Sequence, residues 1–287
     1  IQDKTVDEVA GDKIPDRIKA NAIYKALAFI SVRKLVQDSS SIKEDLYAIT
    51  YADVYDLAVA LVSLVWNGVD DAIDADFFDK IRTNLGEIKV LREGSIGEVD
   101  MLTVASDTFV VPTWEQVLKG VTYADAIRVV LLWTGVDEEK LDQPVKAITD
   151  KLLVNFGRIE ILDYKYLSSF EMVADGITLR EIVDLIQYVV NAIAGTDYDI
   201  NTMFAEEVQL IVNTILTNLE GILLIKVNEK TVYDVLDGVT YGMILRAGLA
   251  VAGVKLAELP GYTKALVDKF AANLDEIEVL DFEGITD

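Results

Sequence analysis

The sequence predicts a mainly α-helical chain with short parallel β-strands, organised as a tandem α/β repeat in a solenoid-like stack, with about three helices and one short strand per repeat. Three observations support this prediction. A ten-residue block recurs along the chain, a strongly apolar segment with helical periodicity follows each block, and each copy ends in a tail of alternating aliphatic and polar residues. The alternative is a compact helical array in which these tails are only extended connectors.

The recurring block is clearest at residues 231–240. Its other copies lie at 113–122, 169–178 and, more loosely, 41–50, and a truncated copy begins at Thr5. Apolar residues Val232, Val235, Leu236 and Val239 follow the i, i+3, i+4, i+7 spacing of one helix face. We therefore expect each block to form a short helix that buries this stripe.

Hydroxyl residues with an acid or amide three positions later predict capping boxes at helix starts. In the blocks these pairs are Thr5/Glu8, Ser41/Glu44, Thr113/Gln116 and Thr231/Asp234. The last Thr of each block opens a second helix with the pairs Thr50/Asp53, Thr122/Asp125 and Thr178/Glu181, whereas Met243 follows Thr240 and breaks the pattern. This second helix is the most apolar part of each copy, so we expect it to be buried.

Glycines occur where the predicted helices must stop, and positive φ favours glycine there. Those closing the blocks are Gly120, Gly176 and Gly238, and those closing the second helices are Gly68, Gly135, Gly195 and Gly253. A third helix in each copy is predicted to end at asparagine, which tolerates the left-handed conformation. These residues are Asn84, Asn155, Asn218 and Asn273.

Aliphatic residues stand four, six and seven positions after each of these asparagines, as in Ile88, Val90 and Leu91. The alternation with charged residues is typical of a half-buried strand. If successive strands pair in parallel through right-handed crossovers, the copies stack on one another.

These patterns divide the chain into repeat units. We assign 1–40 to an incomplete N-terminal repeat, 41–91 to repeat 1, 92–112 to an irregular insertion with an edge strand at 108–112, 113–162 to repeat 2, 169–225 to repeat 3, 231–280 to repeat 4 and 281–287 to the start of a further unit. Both ends lie at nearly the same phase of the repeat, and neither an initiating Met nor a signal peptide is present. We therefore expect a mature or excised piece whose end units continue into neighbouring units.

Composition excludes several classes of function. A net charge of −23 argues against nucleic acid as a partner, because phosphate binding needs clustered Lys and Arg. Apolar runs are too short for a membrane span. The absence of Cys and His removes thiolate catalysis, the commonest general base and the commonest metal ligand.

One acidic loop predicts a calcium site. Asp70, Asp71, Asp74 and Asp76 cluster between the second and third helices of the first full copy, and hard oxygen ligands suit Ca²⁺. No EF-hand spacing is present, and copy four has Val254, Lys255 and Leu256 instead. The alternative is that these acids stabilise the N-terminus of the third helix through its dipole. No other cofactor is expected.

Carboxylate pairs such as Glu206/Glu207 or Asp45/Asp53 could support acid–base catalysis. Acids that recur at cap positions indicate structure, however, so we do not expect an enzyme. The three tryptophans, Trp66, Trp114 and Trp133, suggest a ligand platform or core packing, and their places in apolar helical patterns favour the core.

The phrases at 3–11 and 230–240 resemble repeat modules of very large uncharacterised surface or secreted proteins of Gram-positive anaerobes and mollicutes. The resemblance implies an extracellular or cell-surface location and an architectural role, and it carries no catalytic residues.

The leading hypothesis is a non-enzymatic structural or interaction module, such as a spacer, a lattice or filament subunit, or an adhesin stalk, whose terminal repeats bind copies of the same chain end to end. One alternative is an intracellular scaffold that binds a peptide or helix on a concave face. A second is an acidic glycosidase, which needs one deep pocket with a single acid pair.

Overall fold

A computed structural model describes residues 5, 7–8, 13–21, 23–25, 44, 46–95 and 108–280. These residues form an all-α structure of α-helices and short 3-10 helices, and they contain isolated β-bridges but no β-strand. The prediction of a mainly helical chain is therefore confirmed. The chain divides into two compact units, Ile1–Asp137 with Phe156–Tyr166, and Glu138–Asn155 with Leu167–Asp287.

In the first unit, helices of copy one pack against one another and against copy two. Its α-helices are Asp16–Ala20, Tyr51–Val62, Val69–Ala72, Asp76–Gly86, Trp114–Val117 and Tyr123–Thr134. The third helix of copy one, Asp76–Gly86, packs on the second helix of its own copy. It also packs on the block helix and the second helix of copy two.

The second unit repeats this arrangement between copies three and four. Its α-helices are Phe170–Val173, Leu179–Ala194, Glu206–Glu220, Val232–Leu236, Tyr241–Val251 and Gly261–Leu274, with 3-10 helices at Glu138–Lys140, Leu224–Glu229 and Leu256–Glu258. The helices Val145–Phe156 and Ile161–Ser168 cross the division between the units. The third helix of copy three, Glu206–Glu220, packs on the block helix and second helix of copy four.

The predicted parallel strands are wrong for the described residues. In copy one, the Tyr51 N–H donates to the Ile88 carbonyl at 3.0 Å and the Val90 N–H donates to the Ile49 carbonyl at 3.0 Å. This antiparallel bridge of one residue pair joins the tail to the start of the second helix of the same copy. It recurs at Thr50–Lys89, Thr122–Glu160, Thr178–Leu223 and Thr240–Glu278. The ladder stops there because the residue after each Thr is already helical.

The end of repeat 1 pairs with the last part of the insertion in the same manner. Leu91 and Phe109 form an antiparallel bridge, flanked by a hydrogen bond from the Arg92 N–H to the Thr108 carbonyl at 2.9 Å. The edge strand predicted at 108–112 is thus a single bridge.

Most predicted helix caps are present. Capping boxes form at Thr5, Thr50, Thr113, Thr122, Thr178 and Thr231. The prediction that Thr240 lacks a box is wrong, because the Met243 sulfur accepts from the Thr240 N–H at 3.4 Å while the Thr240 hydroxyl accepts from the Met243 N–H at 3.2 Å. The Ser41/Glu44 pair falls outside the described residues because residue 41 is not among them.

The glycine predictions hold with one exception. Positive φ angles occur at Gly120, Gly135, Gly176, Gly195, Gly238 and Gly253. Gly68 differs, because the second helix of copy one ends at Val62 and Gly68 precedes the short helix Val69–Ala72 with φ −88°. The asparagine prediction is wrong, since no described residue other than glycine has positive φ.

The second helices are less buried than their composition predicts. Part of their apolar surface stays exposed: Val65 just beyond the copy-one helix is 88% exposed, and Ile193 in the copy-three helix is 82% exposed. The first apolar position of the blocks is also exposed, at Trp114, Phe170 and Val232. Core packing is therefore wrong for the three tryptophans, which are all exposed.

Among the described helices, none is both long and apolar enough to span a membrane.

Candidate functional site: the repeat junctions

The recurring polar contact between copies centres on the asparagine near the end of each third helix. In copy one, the Asn84 side-chain N–H₂ donates to the carbonyls of Val117 and Lys119 in the next block, at 2.9 and 2.8 Å. Asn155 donates in the same way to Val173 and Asp175, and Asn218 donates to Val235 and Asp237, all at 2.8 to 2.9 Å. We call each such contact, together with the helices around it, a junction.

The acceptor carbonyls explain why asparagine suits this position. Each pair lies at or just beyond the C-terminal end of a short block helix, where carbonyls lack intrahelical donors. One amide N–H₂ carries two donors and can satisfy both carbonyls at once. At the second junction Asn155 is only 3% exposed, so this contact is shielded from bulk solvent. The asparagine thus caps the block helix of the following copy.

A lysine four residues before the asparagine adds an ion pair at two junctions. Lys80 binds the Asp125 carboxylate at 2.5 Å, and Lys151 binds Glu181 at 2.6 Å and the Gly176 carbonyl at 2.6 Å. Both acids are the capping-box acids of the next second helix. Each of these carboxylates therefore caps its own helix and also forms an ion pair with a lysine of the preceding copy.

The electrostatics of these acids follow from that double role. Burial raises the pKa of Asp125, but the hydrogen bonds from Lys80 and Thr122 outweigh it, and the pKa lies below its ordinary value. At Glu181 burial again raises the pKa, and Lys151 and Thr178 bring it below its usual range. Both carboxylates are thus held in the ionised form that the junction uses.

The third junction lacks this ion pair, because other residues stand at the positions of both the lysine and the acid. Thr214 stands four residues before Asn218, where the other junctions have lysine, and Met243 stands where they have the acid. Arg246 binds Asp275 within copy four at 2.5 Å and holds the pKa of Asp275 below its ordinary value. The asparagine is therefore the shared feature of the three junctions, and the charge pair is an addition to it.

Apolar and aromatic contacts complete the first two junctions. In the second junction, Ile148 and Leu152 pack with Ala174, Ile177 and Ile182. In the first, the rings of Phe78 and Trp133 lie 6.3 Å apart, and the Trp133 indole N–H donates to the Ala72 carbonyl at 2.7 Å.

The acids predicted to bind calcium occupy different surroundings. Asp70 forms a two-point ion pair with Arg17 at 2.8 and 2.6 Å, and this hydrogen bond holds its pKa below the ordinary value. Asp71 lies on the same short helix, Asp74 follows it, and Asp76 begins the third helix in the position that the dipole alternative requires. Within the described part of the chain, no three acidic side chains are grouped to hold a metal ion. Calcium binding stays a prediction, and a melting temperature unchanged by Ca²⁺ or a chelator would reject it.

The acids considered for catalysis are placed as helix caps or near helix starts. Asp53 belongs to the box of Thr50, and Glu206 and Glu207 open the third helix of copy three. Asp45 lies outside the described residues. A cavity of about 470 Å³ beside Asp53 is lined by Arg17, Arg82 and Tyr55, and each arginine is paired with a carboxylate.

Sequence reasoning found the recurring asparagines but assigned them the wrong role. The signal that could have identified the junction is the lysine four residues earlier, together with an acid that recurs in the next second helix and disappears when the lysine does.

Comparisons with protein-family models, with curated proteins and with solved structures found no match to this chain.

Proposed function

We propose that this chain is a non-enzymatic structural module in which the four copies form a continuous, solenoid-like stack, and that it serves a bacterial surface or secreted protein as a spacer, a lattice or filament subunit, or an adhesin stalk. The observation that carries the proposal is the same asparagine contact at three successive junctions. A contact that links each copy only to its neighbour is what a linear array requires. The surface location rests on the resemblance noted above.

The stack is tested by local stability across one junction. In a linear array, breaking one junction weakens the copies on either side and leaves distant copies protected. The variant Lys151→Ala/Asn155→Ala should therefore speed amide hydrogen exchange in the helices Val145–Phe156 and Leu179–Ala194, and exchange in Asp76–Gly86 should stay unchanged. Uniform acceleration throughout the chain, or none, would count against the stack.

A second candidate, an intracellular scaffold for a peptide or helix, is favoured by exposed apolar residues at or shortly after the C-terminal ends of the second helices. These residues are Trp66, Trp133, Ile193 and Val251. Monomeric soluble proteins rarely expose large apolar patches, and such patches usually mark interaction sites. Protease treatment of intact source cells separates the two candidates, because a surface module is cleaved and an intracellular scaffold is not.

A further inference from the structure

The second helix of copy three, Leu179–Ala194, carries an apolar stripe that its own unit leaves open. Its first half packs into the second junction, where Ile182 and Leu185 contact the buried cluster that contains Ile148. Its second half presents four aliphatic side chains at the i, i+3, i+4, i+7 spacing of one helix face. These residues, which we call the open stripe, are Ile186, Val189, Val190 and Ile193, and they are 57, 43, 51 and 82% exposed.

Two positions of this stripe are open in every copy. The residues eight and eleven positions after the Thr that caps each second helix carry no polar side chain in any copy, and all eight are exposed. They are Ala58/Leu61, Val130/Trp133, Ile186/Val189 and Gly248/Val251. A helix face that meets only water normally carries polar and charged residues. The repeated exposure of an apolar face therefore indicates a surface that a partner covers.

The surroundings of the open stripe are strongly acidic. Residues 181–225, from the first turn of this helix to the end of repeat 3, contain seven acids and neither Lys nor Arg. The last turn of the helix has no basic residue, so the negative end of its dipole is not compensated there. Among the described residues, no donor reaches the carbonyls of Ala192, Ile193 and Ala194. The helix end beside the stripe can therefore accept hydrogen bonds from a cationic group.

We infer that the open stripe binds a cationic amphipathic helix of a partner protein. The apolar side of such a helix covers the stripe, and its Lys and Arg residues face the carbonyl end of Leu179–Ala194 and the surrounding acids. A second copy of this chain fits less well, because it would bring the same seven acids to the interface. The inference rests on the interaction role proposed as the second candidate and names its partner. It involves one helix of one copy, so it does not require the stack.

The test is fluorescence anisotropy of a labelled peptide with the full chain at physiological salt. The peptide contains about 18 Leu and Lys residues, which is long enough to form a helix, with the Leu residues on one face. The wild type should bind it saturably. Ile193→Asp should weaken binding by about tenfold or more, because the stripe loses an apolar side chain and a charge is buried in its place. If the attraction were only between charges, the added acid would strengthen it.

Val251→Asp is the matched control. It places the same charge at a valine that is 80% exposed on the second helix of copy four, where Lys255 follows instead of an acidic loop. This variant should bind the peptide as the wild type does, and both variants should keep the wild-type melting temperature. In the wild type, the peptide should slow amide hydrogen exchange in Leu179–Ala194 and leave Tyr241–Val251 unchanged.

Four results would each overturn the inference. They are no saturable binding by the wild type, equal or tighter binding by Ile193→Asp, equal binding of a rearranged peptide without an apolar face, and a dimer of the chain alone that Ile193→Asp abolishes. The last result would assign the stripe to a second copy. The stack is decided separately by hydrogen exchange at the internal junction, and the location by protease treatment, so neither depends on the peptide result.

Discussion

Asn155 and Asn273 occupy the same repeat position, but among the residues that the structure describes only Asn155 donates to the carbonyls of a following block. We expect Asn155→Ala to lower the free energy of unfolding by about 2–3 kcal/mol, because two hydrogen bonds are lost and two carbonyls of copy three are left without donors. Asn273→Ala should change it by less than about 0.5 kcal/mol, as is usual for a surface substitution. Urea denaturation followed by circular dichroism measures both.

Equal losses in the two variants would mean that asparagine acts within its own helix rather than across the junction. This distinction could not be made from the sequence. Asparagine at a helix end has two common uses, the left-handed cap and side-chain hydrogen bonding, and the choice between them depends on which carbonyls lie nearby. The capping Thr residues were predictable because their partners are only three positions away in sequence.

Two glycines in the second helix of copy four give a matched pair at the scale of one element. A methyl group on Gly242 would lie 2.6 Å from the Ala271 carbonyl oxygen and would also meet the Asp275 carboxylate, whereas Gly248 has open space around it. Gly248→Ala should stabilise the protein by about 0.5–1 kcal/mol through its helix propensity. Gly242→Ala should destabilise it by about 1–3 kcal/mol through overpacking.

Thermal melts of the two variants measure this difference. Stabilisation by both would mean that the second and third helices of copy four are not held as closely as Gly242 indicates. A close approach of this kind is invisible in the sequence, where both glycines only weaken a helical pattern.

The helices themselves were largely predictable, and the tails were not. The recurring asparagines located the ends of the third helices to within two residues, and the capping boxes located the starts of the second helices. The alternating tails were mistaken for strands because period-2 alternation describes any extended segment. Only the structure shows that this tail in copy one forms a single bridge, between Lys89 and Thr50, the residue just before the second helix.

At the scale of the whole molecule, acid should loosen the junctions. The pKa of Asp125 lies below its ordinary value of 3.8, so the stability that this carboxylate contributes is present above about pH 4 and is lost as pH falls through the lowered pKa. The stability gap between the wild type and Asp125→Asn should therefore be widest near neutral pH and should close in strong acid. Subtracting the two curves removes the common effect of the net charge of −23.

Asp71→Asn provides the control, because Asp71 is an exposed carboxylate outside the junctions. Denaturant titrations at a series of pH values yield the curves. A gap between the wild type and Asp125→Asn that stayed constant with pH would show that the Lys80–Asp125 pair contributes nothing to stability.

The asparagine donates hydrogen bonds only to main-chain oxygen atoms, so this contact does not depend on which side chains the capped block carries. As far as this contact is concerned, any block with the same backbone turn can replace another, so recombination that shuffles, deletes or multiplies blocks keeps the asparagine cap. The apolar and charged side chains of each junction are then the only contacts that must still match. Substitutions of block side chains therefore leave the hydrogen bonds of the asparagine intact. For protein engineering, the same property makes exchange of whole blocks between copies a more promising route to new variants than rebuilding their contacts residue by residue.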